Sequence, residues 1–165
     1  MKKIFTLILV SAALFVNAQA FKGKGDTKFD IGANIQDGGS GIRVAADFGV
    51  AENISFGVVS SYLLGVSKID GIKPDFGDRF DIKGRFDAHL GPILTLGQNV
   101  DIYPGLDLSL RNFGAHLGGR YFFSEGIGVF SEIGFPIAKY DPTTTDNFQN
   151  LNNQFVFNIG VSFNL

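Results

Sequence analysis

The sequence predicts an all-β protein: a closed, antiparallel, up-and-down transmembrane β-barrel of eight strands, following an N-terminal signal peptide. Three observations lead there. The chain is rich in turn and strand formers, with 22 Gly and 18 Phe among 165 residues and one Met. Beyond the first twenty residues it alternates apolar and polar positions almost to its end. The apolar stripe is strongly aromatic, whereas the polar stripe combines Gly, Arg and Asp. The absence of Cys excludes disulfide scaffolds, thiol catalysis, Cys-ligated zinc and lipoprotein acylation. A formal charge of -2 and a pI near 5.6 argue against a nucleic-acid partner, whose footprint is basic.

The first element is an export signal. Lys2 and Lys3 precede the uncharged stretch Ile4–Val16, and Asn17-Ala18-Gln19-Ala20 supplies small residues where a signal peptidase requires them. Cleavage after Ala18 and cleavage after Ala20 fit equally well. The apolar stretch is too short to span a membrane as a helix, which takes about 20 residues. The expected organisation is a cleaved signal peptide over 1–20 and one barrel domain over 21–165.

Eight alternating segments follow, at about 27–36, 41–50, 54–64, 79–90, 100–111, 115–123, 127–137 and 153–165. The last places Phe155, Phe157, Ile159, Val161, Phe163 and Leu165 on one face, and Gln154, Asn158, Gly160, Ser162 and Asn164 on the other. The fourth sets Phe80, Ile82, Phe86, Ala88 and Leu90 against Asp81, Lys83, Arg85, Asp87 and His89. In these registers no apolar face carries a charge.

Alternation alone does not say which face looks outward. A soluble sandwich or barrel buries its apolar face, and a membrane barrel exposes it. The polar faces carry Gly32, Gly57, Gly105, Gly118 and Gly160; glycine weakens a solvated strand but suits a crowded interior. The aromatic stripe, which includes Phe29, Phe48, Phe56, Phe86, Tyr121 and Phe135, is too large for one core of this size. Ten residues at about 3.3 Å each, tilted by about 40°, cover roughly the 25 Å apolar band of a membrane barrel. The inverse orientation would turn arginines to lipid at about 2–4 kcal/mol each. An edge left open in lipid would cost several kcal/mol per unpaired backbone group, so the sheet must close.

Two connections are long and the others short, including those around Asp37–Ser40 and Asn112–Gly114. Ala51-Glu52-Asn53 and Ser124-Glu125-Gly126 are short, while Gly65–Asp78 and Ala138–Asn152 are long. Gly91–Asn99 reads either as an extension of the fourth strand or as an ordered loop. Pro92 and Pro104 lack a ladder donor and are expected to mark a bulge or kink.

The stretch from Gly118 to Phe135, GGRYFFSEGIGVFSEIGF, resembles a hairpin of small Gram-negative outer-membrane β-barrels, the porin-like and OmpX/OmpA-like group. The closing strand Phe155–Leu165 resembles the C-terminal signal read by the barrel-assembly machinery, with Phe163 present and Leu in place of the usual terminal Phe. The resemblance implies eight strands and residence in the cell outer membrane, with outer-membrane lipid and lipopolysaccharide as surroundings. It carries no defined activity.

The inward polar face is expected to hold Asp30, Arg43, Asp47, Asp81, Lys83, Arg85, Asp87, His89, Asp101, Asp107, Arg111, His116, Arg120 and Glu132 as a hydrogen-bonded network. Tyr103, Phe122 and Phe130 should help fill a lumen that eight strands leave barely wide enough for side chains. His89 and His116, the two histidines, read as members of that network. Ser109 and Asp107 face the lumen, away from acyl chains, and give no lipid-hydrolase site. Asp70, Asp75, Asp78 and Asp81 cluster in or beside the long outer loop Gly65–Asp78 without a calcium-loop spacing, and Asp141–Asp146 reads as a polar loop tip. No catalytic, cofactor or metal residues are assigned. The expectation is a monomeric, non-enzymatic barrel, structural or surface-interacting, at most a narrow channel. The alternatives are a soluble exported barrel with an apolar ligand inside and an outer-membrane lipid-modifying enzyme.

Overall fold

The computed structural model describes residues 19–140 and 148–165. Eight antiparallel strands follow one another around a closed barrel: β1 Thr27–Gln36, β2 Gly39–Ala51, β3 Ile54–Val66, β4 Phe80–Ala88, β5 Val100–Ser109, β6 Asn112–Phe122, β7 Ile127–Lys139 and β8 Val156–Asn164. A one-turn helix, α1 Phe76–Arg79, precedes β4. β1 pairs with β8 from Lys28 opposite Asn164 to Gln36 opposite Val156, so no strand edge is left over. Strands of 9 to 13 residues have the length the bilayer estimate requires.

The faces divide as the alternation implies. Phe29, Phe48, Phe56, Tyr121 and Phe135 are exposed on the outer surface, and Asp30, Arg43, Asp47, Arg85, Asp87 and Arg120 are buried inside. The fold is therefore turned inside out relative to a soluble barrel. Its likeness to membrane barrels follows from this division as much as from its strand count.

Three glycines make room for the lumen. A Cβ on Gly57 would meet Asp47 and Arg85, one on Gly105 would enter the His116 ring, and one on Gly118 would enter the Tyr103 ring. Each sits opposite a bulky group, so small and large side chains interlock across the interior.

Of the two readings of Gly91–Asn99, the ordered loop is the one found, and other connections differ from expectation in detail. Residues 89–99 form an ordered loop of tight turns, with Leu94 N–H donating to Leu90 O at 2.8 Å and Leu96 N–H to Gly91 O at 3.3 Å. The β5–β6 turn is Leu110-Arg111, and β6 starts earlier than expected, at Asn112. The β4–β5 ladder stops at Asp87 opposite Gly105, one position short of Pro104, which has no N–H to continue it. A register shift between Phe113 and Gly114, opposite Ala138 and Pro136, puts an irregularity at a proline the sequence reading did not single out. Pro92 lies in the loop rather than at a strand kink.

Both mouths are covered. At the end that carries the termini, Ala20 and Phe21 are buried, and Ala20 packs with Phe122. At the other end, Phe148 and Leu151 pack on Leu63 of β3. There Asn152 N–H donates to Gln36 Oε1 at 2.8 Å, and Asn112 Nδ2 donates to the Asn152 carbonyl at 3.1 Å. Residues 141–146 lie outside the described residues, as does most of the expected signal peptide.

Gly118→Val tests the interlocking. Valine favours strands, yet it would collide with Tyr103, and overpacking costs about 1–3 kcal/mol. A lower urea midpoint for the folded band on unboiled gels is expected. An unchanged or higher midpoint would contradict the packing.

Candidate functional site: a buried charge network in the lumen

Alternate positions of the strands send charged side chains to the barrel axis, where three arginines from alternate strands meet acids from other strands. Arg43 of β2 pairs with Glu132 of β7 at 3.1 Å and with Asp30 of β1 at 3.7 Å. Arg85 of β4 reaches Glu132 and Asp87 at 3.0 Å and Asp47 of β2 at 3.5 Å. Arg120 of β6 binds Asp30 at 2.8 Å and also Asp47. The acids Asp30, Asp47 and Glu132 are each shared by two arginines, so the set ties β1, β2, β4, β6 and β7 together through the interior. Aromatic faces complete it: Arg120 lies 4.3 Å and Arg85 5.5 Å from the Tyr103 ring centre, and Arg43 lies 5.0 Å from that of Phe130.

Towards the terminal end the network becomes a Ser-His-Asp chain. Ser55 Oγ lies 2.9 Å from His89 Nε2, and His89 Nδ1 lies 2.6 Å from Asp101 Oδ2. With the ring proton on Nδ1, His89 donates to Asp101 and accepts from Ser55. Gly91 N–H donates to the other Asp101 oxygen at 3.1 Å and holds the carboxylate. The spacing is that of a nucleophile, base and orienting acid. Access is another matter. Ser55 and His89 are 0% exposed, and Phe21 stacks on the His89 ring at 3.5 Å between centroids. Ser55 Oγ also lies 3.4 Å from Asp87 Oδ2. His116 has a parallel role between Asp87 at 2.8 Å and Asp107 at 3.1 Å.

Of the residues expected in the network, Asp30, Arg43, Asp47, Asp81, Arg85, Asp87, His89, Asp101, Asp107, His116, Arg120 and Glu132 are buried inside the barrel. Lys83 lines a small cavity of the lumen, partly exposed and 3.8 Å from Asp81. Arg111 is a correction. It sits in the β5–β6 turn at the rim, where Nη2 donates to Gly77 O at 2.5 Å and lies 3.8 Å from Asp78. The apolar–polar alternation continues in the sequence to Arg111, whereas β5 ends at Ser109. The four loop aspartates do not converge: Asp81 points inward, and Asp78 accepts from Asp75 N–H at 3.0 Å at the start of α1. No cluster of three or more candidate metal ligands exists among the described residues.

Sequence reasoning missed Lys28, which donates to Asp26 at 2.6 Å and lies over Phe122, and it missed Ser55. Lys28 lies on the polar parity of β1 beside Asp30, a signal that was available. Nothing in the sequence distinguishes Ser55 from other inward serines.

Residues 11–165 match a family of unknown function. This chain belongs to DUF6646. No curated protein matches it. Among solved structures, a protein described as "De novo design of transmembrane beta-barrels" superposes with a TM-score of 0.55 at 11% identity, covering 87% of this chain and 98% of that one. At that identity the likeness concerns the fold alone, a transmembrane β-barrel. Inside the DUF6646 barrel, between Arg43, Lys83, Asp107, Glu132 and Asn158, there is a cavity of about 20 Å³, space for about one water molecule.

Arg120→Ala would leave Asp30 and Asp47 short of a shared cation. Removing one partner of a buried ion pair costs about 3–5 kcal/mol. Thermal unfolding in detergent should show a large loss for this variant and almost none for Lys73→Ala in the exposed outer loop. Equal midpoints for Arg120→Ala and the parent protein would contradict the network's role.

Proposed function

We propose that this DUF6646 chain is a small outer-membrane β-barrel that serves as a closed, rigid membrane scaffold and presents its longer loops at the cell surface. The observation that carries the reading is the cross-lumen ion network inside an apolar, aromatic outer wall. An interior crossed by the ion pairs of Arg43, Arg85 and Arg120 with acids of facing strands supports a closed lumen over an open channel. The covered mouths act in the same direction. A soluble carrier of an apolar ligand would need an apolar interior, and this interior is filled with charge.

The signal-peptide pattern and the C-terminal strand support the outer membrane as the destination. The end opposite the termini carries the longer connections, between β3 and β4 and between β7 and β8. On an outer-membrane barrel with periplasmic termini these face outward. They would supply the contact surface, with α1 pinned to the barrel by Arg79 Nε donating to Leu63 O at 2.7 Å.

A hydrolase is the second reading, and only the Ser55-His89-Asp101 spacing favours it. One preparation separates the two. The full-length protein, expressed with its leader and purified from membranes, is expected in the outer-membrane fraction with a gel band that shifts on boiling. In planar bilayers it should show no steady conductance, and a fluorophosphonate probe should leave Ser55 unmodified. Recovery in the soluble fraction or a stable ion current would contradict the scaffold reading. A fluorophosphonate adduct on Ser55 would favour the hydrolase.

A further inference from the structure

The barrel does not begin its ordered structure at Thr27. Residues from Ala20 onward are seated in the terminal mouth. Ala20 is 1% exposed, its N–H donates to Gln98 O at 2.7 Å, and it packs on Phe122. Phe21 is 3% exposed and covers His89. The chain then turns through Gly23, whose carbonyl accepts from Asp26 N–H at 3.1 Å. It is tied to β2 where Gly25 N–H donates to Gly49 O and Gly49 N–H donates to Asp26 O, both at 2.8 Å. Asp26 in turn accepts from Lys28 inside the barrel. Ala20–Asp26 is thus a plug built from backbone bonds, one stacked ring and an ion pair.

Gln19 differs from the residues that follow. It is exposed, at the rim of an open cleft of about 280 Å³ facing Pro92, Thr95 and Gln98. A charged chain end placed on Gln19 keeps its water. Placed on Phe21, it would stand on a buried residue at the lumen mouth, and Ala20, with its bond to Gln98 and its contact to Phe122, would be gone. Burying a charge without a partner is costly, and the loss of Ala20 adds an unfilled gap.

We infer that the leader is removed between Ala18 and Gln19, so that the mature chain starts at Gln19 and keeps Ala20 and Phe21 as the plug of the terminal mouth. The inference rests on the reading that the chain is exported. It decides between two cleavage points that the small-residue pattern alone leaves equal. The reaction is hydrolysis of the Ala18–Gln19 peptide bond: water supplies the hydroxyl of the Ala18 carboxyl group and a proton to the Gln19 amine.

The test is the mass of the intact protein purified from membranes after expression with its own leader, with sequencing of its N-terminal peptide. A chain starting at Gln19 is expected. A chain starting at Phe21 would overturn the inference and leave the export reading standing. A chain retaining residues 1–18 would overturn both. Two chains refolded into detergent, one starting at Gln19 and one at Phe21, provide the second measurement. The Phe21 chain should unfold at a lower temperature, and its His89 should react faster with diethylpyrocarbonate. Equal unfolding temperatures and equal reactivity would remove the physical basis and overturn the inference.

Discussion

The constraint on which the structure depends is that a charge inside a low-dielectric barrel must meet its counter-charge there. Arg43, Arg85 and Arg120 satisfy it with acids from other strands. Such a network need not be a large net source of stability, because the cost of desolvating the ions offsets much of their attraction. Its stronger effect is on register. A slip of one residue in any strand would turn its lumen charges to lipid and its aromatic residues into the lumen. The charged interior therefore selects one pairing of β1 through β8 among the many that backbone hydrogen bonds alone would allow.

Space follows from the same constraint. Guanidinium groups, two imidazoles and the Tyr103 ring share an interior about as wide as eight strands can enclose. The wall gives way where they lie: Gly57 beside Asp47 and Arg85, Gly105 beside His116, Gly118 beside Tyr103. The result is a filled cylinder whose interior resembles a salt-bridged core, covered at one mouth by Phe21 and at the other by Phe148 and Leu151. The Ser55-His89-Asp101 chain belongs to this core. Its distances would suit catalysis, while its burial under Phe21 and the second contact of Ser55 with Asp87 suit a member of the network.

The strands and their faces were legible because a two-residue period is a local property, repeated eight times, and lipid permits few polar exceptions on the outer face. β1 was placed at its observed bounds, and β8 was recognised from its alternating Phe and Asn positions. The failures occurred where the period ends. Arg111 keeps the lumen parity two residues beyond the end of β5, although a tight turn places it at the rim. At Gly91–Asn99 weak alternation leaves strand extension and ordered loop both open, and the chain forms the loop. The plugs were invisible for a different reason. Phe21 and Phe148 are apolar residues in irregular segments, and only the three-dimensional closure of the barrel brings them over a mouth. Ser55 likewise gains a meaning only when β3, β4 and β5 place it near His89 and Asp101.

The orientation of the two stripes can be measured directly, because the sequence contains no Trp. Single tryptophans replacing Phe56 or Phe135 on the outer face, and Phe122 or Tyr103 in the lumen, would be placed in bilayers whose acyl chains carry bromine. Strong quenching at positions 56 and 135, with little at 122 and 103, is the predicted result. Equal quenching at all four positions, or quenching confined to the lumen positions, would contradict the account.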